Sequence, residues 1–463
     1  MRKRRDEGLR IEPGADYSRP PIQPMSNPEP LERRQPFASW PAVDRWLAIV
    51  VFASAVLIPV FFLPFTDEIF RLPKLLLFRA EGLILLAVFA IGWLWNSGDI
   101  RSWRPRRTDG LLVAAIVVWS AVATLTSTHR ALSVRSLLTV ISGAAVFLAA
   151  CRIAPRLSPR VMGIVFVPAL INAGVLFLQV AGVPITFAPE VVDLLKPGEK
   201  MRLAESALLG NRNDVGSYLQ FLAALAWAGA FWRPAPKRTL HAVVAAVLTC
   251  AVLVSRTVTA IAALAVSVLA TLLRRSWKRA LVAGIVAIVL TGIFAARYEP
   301  LRLRIGWLKR AVSAGRLDRA LSGRPRAYLA AARMTADHPL TGVGPGRYSG
   351  HFFDYVLIGV TGAEGPAVNF GETHNDYLQT MAETGVPGLV LMLAAIGVFV
   401  VTGARPPDPG ASPSAEYARQ LSLALGVSFA VLALAQFPLQ LAAPSVTIFT
   451  VAGLLRGWLD ARA

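Results

Sequence analysis

The hydrophobic residues of this chain come in blocks of about 16–23, and that block length decides the fold class. A helix needs about 20 apolar residues to cross a ~30 Å hydrocarbon core. Lipid offers the backbone no hydrogen-bond partners, so each block must satisfy its own amides and carbonyls, which a helix does. With 55% hydrophobic residues over 463 positions, the chain is too apolar for an ordinary soluble domain. The expected class is an all-α polytopic membrane protein of about twelve spans. They fall at about 46–65, 75–96, 110–127, 136–151, 161–183, 214–231, 240–254, 258–273, 280–296, 386–403, 417–436 and 439–456. Residues 1–45 are polar, basic and Pro-rich, and read as a disordered tail without a cleavable signal. Residues 46–296 then hold spans one to nine and 297–385 one long, partly helical loop. Residues 386–456 hold the last three spans and 457–463 the C-terminal end.

The formal charge of +20 is distributed unevenly around these blocks. The tail and every second short connection are basic. The connections carry Arg101, Arg104, Arg106 and Arg107; Arg152, Arg156 and Arg160; Arg233, Lys237 and Arg238; and Arg274, Arg275, Lys278 and Arg279. Positive connections stay on the cytoplasmic side. Both termini are therefore expected in the cytoplasm, with 297–385 facing the periplasm or exterior. Arginines flanking spans account for the charge, so nucleic acid is not an expected partner. Cys151 and Cys250 lie in or beside apolar blocks and do not read as a disulfide framework.

Segment 240–273 is apolar except around Ser255-Arg256-Thr257. As one helix it would run about 51 Å, far beyond the hydrocarbon core. Both of its ends are basic, so both belong on the same side. A helical hairpin with Arg256 at its outer tip meets both conditions.

The long loop opens with ten basic residues in 297–333, among them Arg324 and Arg326, against only Glu299 and Asp318. Guanidinium forks bind phosphate oxygens bidentately, so this cluster suits phosphate or pyrophosphate. Ser322-Gly323-Arg324-Pro325 predicts a helix start, with Tyr328, Leu329 and Ala332 as its buried stripe and an end near Asp337-His338-Pro339. Gly342-Val343-Gly344-Pro345-Gly346 reads as a tight turn rather than a nucleotide fingerprint. Thr373 and Asp376 have capping-box spacing, which puts His374 in the first turn of a helix ending near Gly385. A helix start disfavours imidazolium, and a neutral imidazole there can accept a proton. A structural histidine bracing the loop fits the same position. Glu372 and Glu383 are candidates for acid–base or sugar contacts. His338 before proline reads as a turn residue, and no spacing of His or Cys suggests a metal site.

Several of these segments together resemble the O-antigen ligase and polymerase superfamily. They are Ser255-Arg256-Thr257, Ser322-Gly323-Arg324 through Asp337-His338-Pro339-Leu340-Thr341-Gly342-Val343-Gly344, and His374-Asn375-Asp376-Tyr377-Leu378 with Glu383, Gly385 and Gly388. Gly210-Asn211-Arg212-Asn213 and Pro73-Lys74 are similar to two further elements of that family, and the likeness runs from about 45 to 456. Arg212 stands where the family often has proline, and Tyr328 where tryptophan is frequent. The resemblance implies a GT-C-like bundle of about twelve helices with a large periplasmic loop in the bacterial inner membrane. It implies an inverting, metal-independent glycosyltransferase that needs no cofactor. The implied donor is a glycan on undecaprenyl pyrophosphate. A ligase passes it to the sugar of lipid A–core, a polymerase to another lipid-linked repeat unit.

Arg256, Arg324 and His374 match the family's two functional arginines and its histidine. The resulting expectation is a catalytic trio of these residues. Lys74, Asn211, Arg212, Asn375, Glu383, His338 and Arg326 are expected around the substrates. Ligase is the first reading and polymerase the second. A twelve-span secondary transporter is the rival from another class, disfavoured because ionisable residues are sparse in the span centres.

Overall fold

The described part of the chain folds into helices because its apolar blocks have no other way to satisfy their backbones. The computed structural model describes residues 36–64, 68–95, 103, 105–183, 185, 205–232, 237–282, 284–285, 306–307, 309–310, 312–315, 323–356, 370–406 and 413–460. The helices are α1 (Ala42–Val60), α2 (Arg71–Leu94), α3 (Arg107–Thr126), α4 (Arg130–Ile153), α5 (Met162–Val180), α6 (Arg212–Trp232), α7 (Lys237–Val254) and α8 (Val258–Arg275). There follow α9 (Arg324–Asp337), α10 (Tyr348–Tyr355), α11 (Asp376–Ala404), α12 (Pro413–Leu432) and α13 (Ala442–Asp460).

Among the described residues, eight helices are long and apolar enough to cross a membrane: α1 to α5, α8, α11 and α13. Helices also stand where the sixth, seventh and eleventh spans were expected. Two of these, α6 and α12, bury Ser217 and Gln220, and Gln420, Ser422 and Ser428, inside the bundle. They are the inner staves, shielded from lipid by α7, α8, α11 and α13. The ninth expected span, 280–296, lies mostly outside the described residues, which reach only 280–282 and 284–285 of it.

Several sequence boundaries need correction. α1 begins at Ala42, and Trp40 already packs into the main core, so the expected tail 1–45 ends earlier. Charge at Asp44 and Arg45 masked this start. Asp44 is fully buried because Arg152 and Arg156 donate to its two oxygens at 2.6 and 2.8 Å. α13 likewise runs on to Asp460, past the expected 456, because Arg456 is neutralised by Asp109 at 2.8 Å. Arg274 pairs with Glu416 at 2.7 Å. All of these pairs sit at the end of the bundle where α1 begins and α13 finishes.

The segment expected as a hairpin is two helices, α7 and α8, joined by a turn at Ser255-Arg256-Thr257. Its arms scarcely touch each other; each packs on α6 instead. Over the opposite end of the bundle, α9 and α10 build a second small core on the first half of α11. Ala327, Ala330, Ala331 and Met334 of α9 meet Tyr348, Phe352 and Ala382 there. The buried stripe of α9 is therefore offset from the expected one. Ala332 is exposed and Tyr328 only half buried, since the small alanines give α9 its close approach to α11.

α11 breaks at Gly385, where φ is +71°. A Cβ at this position would lie 2.0 Å from the Leu340 carbonyl oxygen, so only glycine fits. The expected helix end is thus a hinge between an upper half holding Asp376 to Thr384 and a lower half running into the bundle.

Candidate active site

His374 sits just before α11, not in its first turn. Asn375 is the N-cap: its Oδ1 accepts from the Leu378 amide at 3.0 Å, while its Nδ2 donates to the Leu434 carbonyl at 3.0 Å. Thr373, expected as the cap, donates to the Asn375 carbonyl at 2.6 Å instead. Asp376 is buried, receiving the Leu439 amide at 3.0 Å and giving its own to the Ala433 carbonyl at 3.0 Å. These three residues lock the chain so that His374 adopts φ +55°. A non-glycine residue in that region costs energy that the surroundings must supply.

The imidazole lies between two aromatic rings, 4.8 Å from Phe437 and 6.1 Å from Phe370 by centroid. Its Nδ1 is buried with no hydrogen-bond partner among the described residues. Burial lowers its pKa to about 4, helped by the positive charges of Arg324 and Arg71. The ring is therefore neutral at ordinary pH. The cause is desolvation and cationic neighbours rather than the expected helix dipole.

Arg71, which the sequence reading did not single out, organises this corner. Its Nε and Nη2 donate to Asp214 at 3.3 and 3.2 Å, and its Nη1 to Glu372 at 3.3 Å. Its guanidinium carbon stands 5.5 Å from the Phe437 ring centroid. Burial pushes the Glu372 carboxyl up, and Arg71 partly offsets that. The available signal was position, two residues before Pro73-Lys74 at the start of a span.

The other expected residues divide into two groups. Arg324 opens α9 half buried, near enough for its charge to act on His374. Arg256 is exposed at the α7–α8 turn, with φ +55° and Glu205 3.8 Å away. That turn is clamped to the Gly210-Asn211-Arg212-Asn213 element, for the Thr257 hydroxyl donates to the Arg212 carbonyl at 3.2 Å. A Cβ on Gly216 would collide with Ser255 and Thr257, so the tip rests directly on the first turns of α6. Asn211 accepts the Asn213 amide at 2.9 Å and shapes the entry to α6.

The remaining residues brace the site. Lys74 donates to the carbonyls of Phe61 and Leu208, the latter at 2.7 Å, tying the end of α1 and the segment before α6 to α2. Glu383 accepts from the Gly346 amide at 2.8 Å, the Tyr348 amide at 3.3 Å and Gln379 Nε2 at 2.7 Å. Its carboxylate is thus occupied in holding the glycine turn and α10 onto α11. Arg326 is buried in α9. His338 is exposed at the end of α9, its carbonyl accepting the Gly342 amide at 2.9 Å. Among the described residues, no three His, Cys, Asp or Glu side chains converge as a metal site.

Arg256, Arg324, Arg71 and His374 thus occupy one end of the bundle, opposite the Asp44, Asp109 and Glu416 ion pairs. Residues 241–393 match the family model described as O-antigen ligase. This stretch, about a third of the chain, is similar to the O-antigen ligase family. The match supports the O-antigen ligase and polymerase superfamily read from the motifs, and with it a glycosyltransferase-like membrane enzyme acting on lipid-linked glycans. The matched stretch contains Arg256, Arg324, His374 and Glu383; Lys74, Arg71, Asn211 and Arg212 precede it in the chain. No curated protein matches the chain significantly.

Proposed function

We propose that the protein is an inverting glycosyltransferase. It would move a glycan from undecaprenyl pyrophosphate to the sugar of lipid A–core at the outer face of the bacterial inner membrane. The observation that carries this reading is the neutral, buried imidazole of His374 beside the guanidinium of Arg324. Such a group takes a proton, and such a neighbour takes a phosphate.

In the proposed reaction the acceptor hydroxyl is positioned at His374 and loses its proton to the ring. Its oxygen attacks the anomeric carbon from the face opposite the pyrophosphate, forming the new glycosidic bond with inversion. The bond from that carbon to the pyrophosphate oxygen breaks, and its electron pair leaves with undecaprenyl pyrophosphate. Arg324 and Arg256 stabilise the charge developing on the leaving group, as preorganised cations do in a water-poor site. Arg212 stands behind Arg256 through the Thr257 contact. Bound pyrophosphate also offsets the field of Arg71 and Arg324, which strengthens His374 as a base at the moment it is needed.

The test is transfer by the purified protein from undecaprenyl-pyrophosphate glycan to two acceptors offered separately, lipid A–core and a lipid-linked repeat unit. The expected product is glycosylated lipid A–core with inverted anomeric configuration. Product formed only on the lipid-linked unit would make the protein a polymerase. Transfer to neither acceptor would overturn the reading.

A further inference from the structure

A second cationic feature lies away from Arg256 and Lys74, inside a cavity of about 540 Å³ among α2, α3, α4, α11, α12 and α13. Its walls are largely apolar, with Phe78, Ile116, Leu391 and Phe449 among them. It begins by the Asp109–Arg456 pair and ends under Glu372, Gly346 and Gly371, at the floor of the His374 site. Such a trough suits hydrocarbon with its headgroup directed at the imidazole.

Arg79 is in its wall. The Nε of Arg79 donates to the Thr139 hydroxyl at 3.0 Å across the trough, rather than reaching away to water. Arg135, exposed one turn above Thr139 on α4, acts electrostatically on Arg79. Among the described residues neither guanidinium has a carboxylate partner. The opposite end of the bundle pairs its buried arginines with aspartate or glutamate. Two like charges, Arg79 in the trough wall and Arg135 one helical turn from its Thr139 partner, without a carboxylate among the described residues, call for an anion from outside. At 1.5 Å per residue, Arg79 lies ~12 Å along α2 from Arg71, which leaves room for saccharide between a phosphate there and a hydroxyl at His374.

Resting on the proposed transfer reaction, we infer that this trough seats the acceptor lipid, with a phosphate of lipid A held between Arg79 and Arg135. The donor pyrophosphate then approaches His374 from the side of Arg256 and Arg324, and the two lipids meet from different faces of α2. Lys74 and Arg79 lie about 140° apart around that helix, at 100° per residue. Ser136 and Thr139, also in the trough wall, supply hydroxyl donors to the same phosphate.

Binding is measured on the purified full-length protein by native mass spectrometry with lipid A, dephosphorylated lipid A and undecaprenyl phosphate as probes. Arg79→Gln with Arg135→Gln should weaken lipid A binding by ~10-fold or more, as loss of hydrogen bonds to a charged group does. Dephosphorylated lipid A should bind weakly to both forms, and undecaprenyl phosphate equally well to both, which also shows that the variant is folded. Ala395→Trp, which fills the trough without touching either arginine, should weaken lipid A alone. Equal binding of lipid A with and without phosphate would overturn the proposal. So would a loss confined to undecaprenyl phosphate, which would give the trough to the donor. Binding is read without turnover, so the two readings separate. Expected binding with no glycan transfer by the native protein sinks only the transfer reaction, and normal transfer with lipid A binding indifferent to both arginines sinks only the seat.

Discussion

The two ends of the bundle handle charge and strain in opposite ways. At the end where the chain enters α1 and leaves α13, buried arginines are matched: Arg152 and Arg156 share Asp44, Arg456 takes both oxygens of Asp109, and Arg274 meets Glu416. At the other end, Arg324 has no carboxylate partner among the described residues, and its charge bears on His374 together with that of Arg71, which Asp214 and Glu372 only partly offset. All three non-glycine residues with positive φ among those described, Ala207, Arg256 and His374, also lie there. Matched charge closes a structure. Unmatched charge and stored backbone strain cost stability, and such features collect where a protein binds or reacts. One end is built to hold the helices together and the other to receive anions.

Substitutions that treat the two ends alike should break this contrast most visibly. Asp109→Ala leaves Arg456 buried without its carboxylate and should cost about 3–5 kcal/mol, read as a large drop in the thermal midpoint of the purified protein. Arg324→Ala removes a charge that has no such debt, so stability should stay within ~1 kcal/mol of native while transfer falls sharply. Equal destabilisation by both would erase the distinction.

Arg256→Lys keeps the charge but loses the planar fork, and should lower transfer by ~10-fold or more in an initial-rate assay. Strain gives a smaller effect of opposite sign. His374→Gly should relieve about 1 kcal/mol of backbone strain while lowering turnover as far as His374→Ala does, because glycine adopts φ +55° freely. The last effect is a displacement in pH. The proposed reaction needs neutral imidazole, so kcat/KM of the native protein should fall only as pH drops through about 4, where His374 titrates. Arg324→Gln removes a like charge, raises that pKa and moves the acid limb upward. An acid limb that stays in place would remove Arg324 from the surroundings of His374.

Much of the bundle was legible because hydrophobic length is a direct consequence of the bilayer. The α7–α8 turn at Ser255-Arg256-Thr257 follows from 34 apolar residues being too long for one crossing and basic at both ends. Boundaries failed where a charged residue was paired across the chain. Asp44 hides the start of α1 because its partners lie 108 and 112 residues away, which no local pattern reveals. The candidate site's arginines and histidine were picked out by residue type and motif. Its arrangement was not. The cap of α11 fell to Asn375 rather than Thr373 because Asn375 also anchors to Leu434, and Arg71 acquired its role only through Asp214, Glu372 and Phe437. Conversely, Lys74 and Glu383 spend their polar atoms on bracing, which becomes visible only when the Phe61 and Leu208 carbonyls and the Gly346 and Tyr348 amides are in place.

The central claim is that the imidazole at position 374 takes the acceptor's proton in a site whose cations hold the leaving pyrophosphate. Single-turnover transfer by His374→Ala, with donor affinity determined on the same preparation, tests it most directly. The account predicts a rate lowered ~10²–10⁴-fold with donor affinity unchanged. A native rate in that variant, or a loss explained entirely by weaker donor binding, would contradict it.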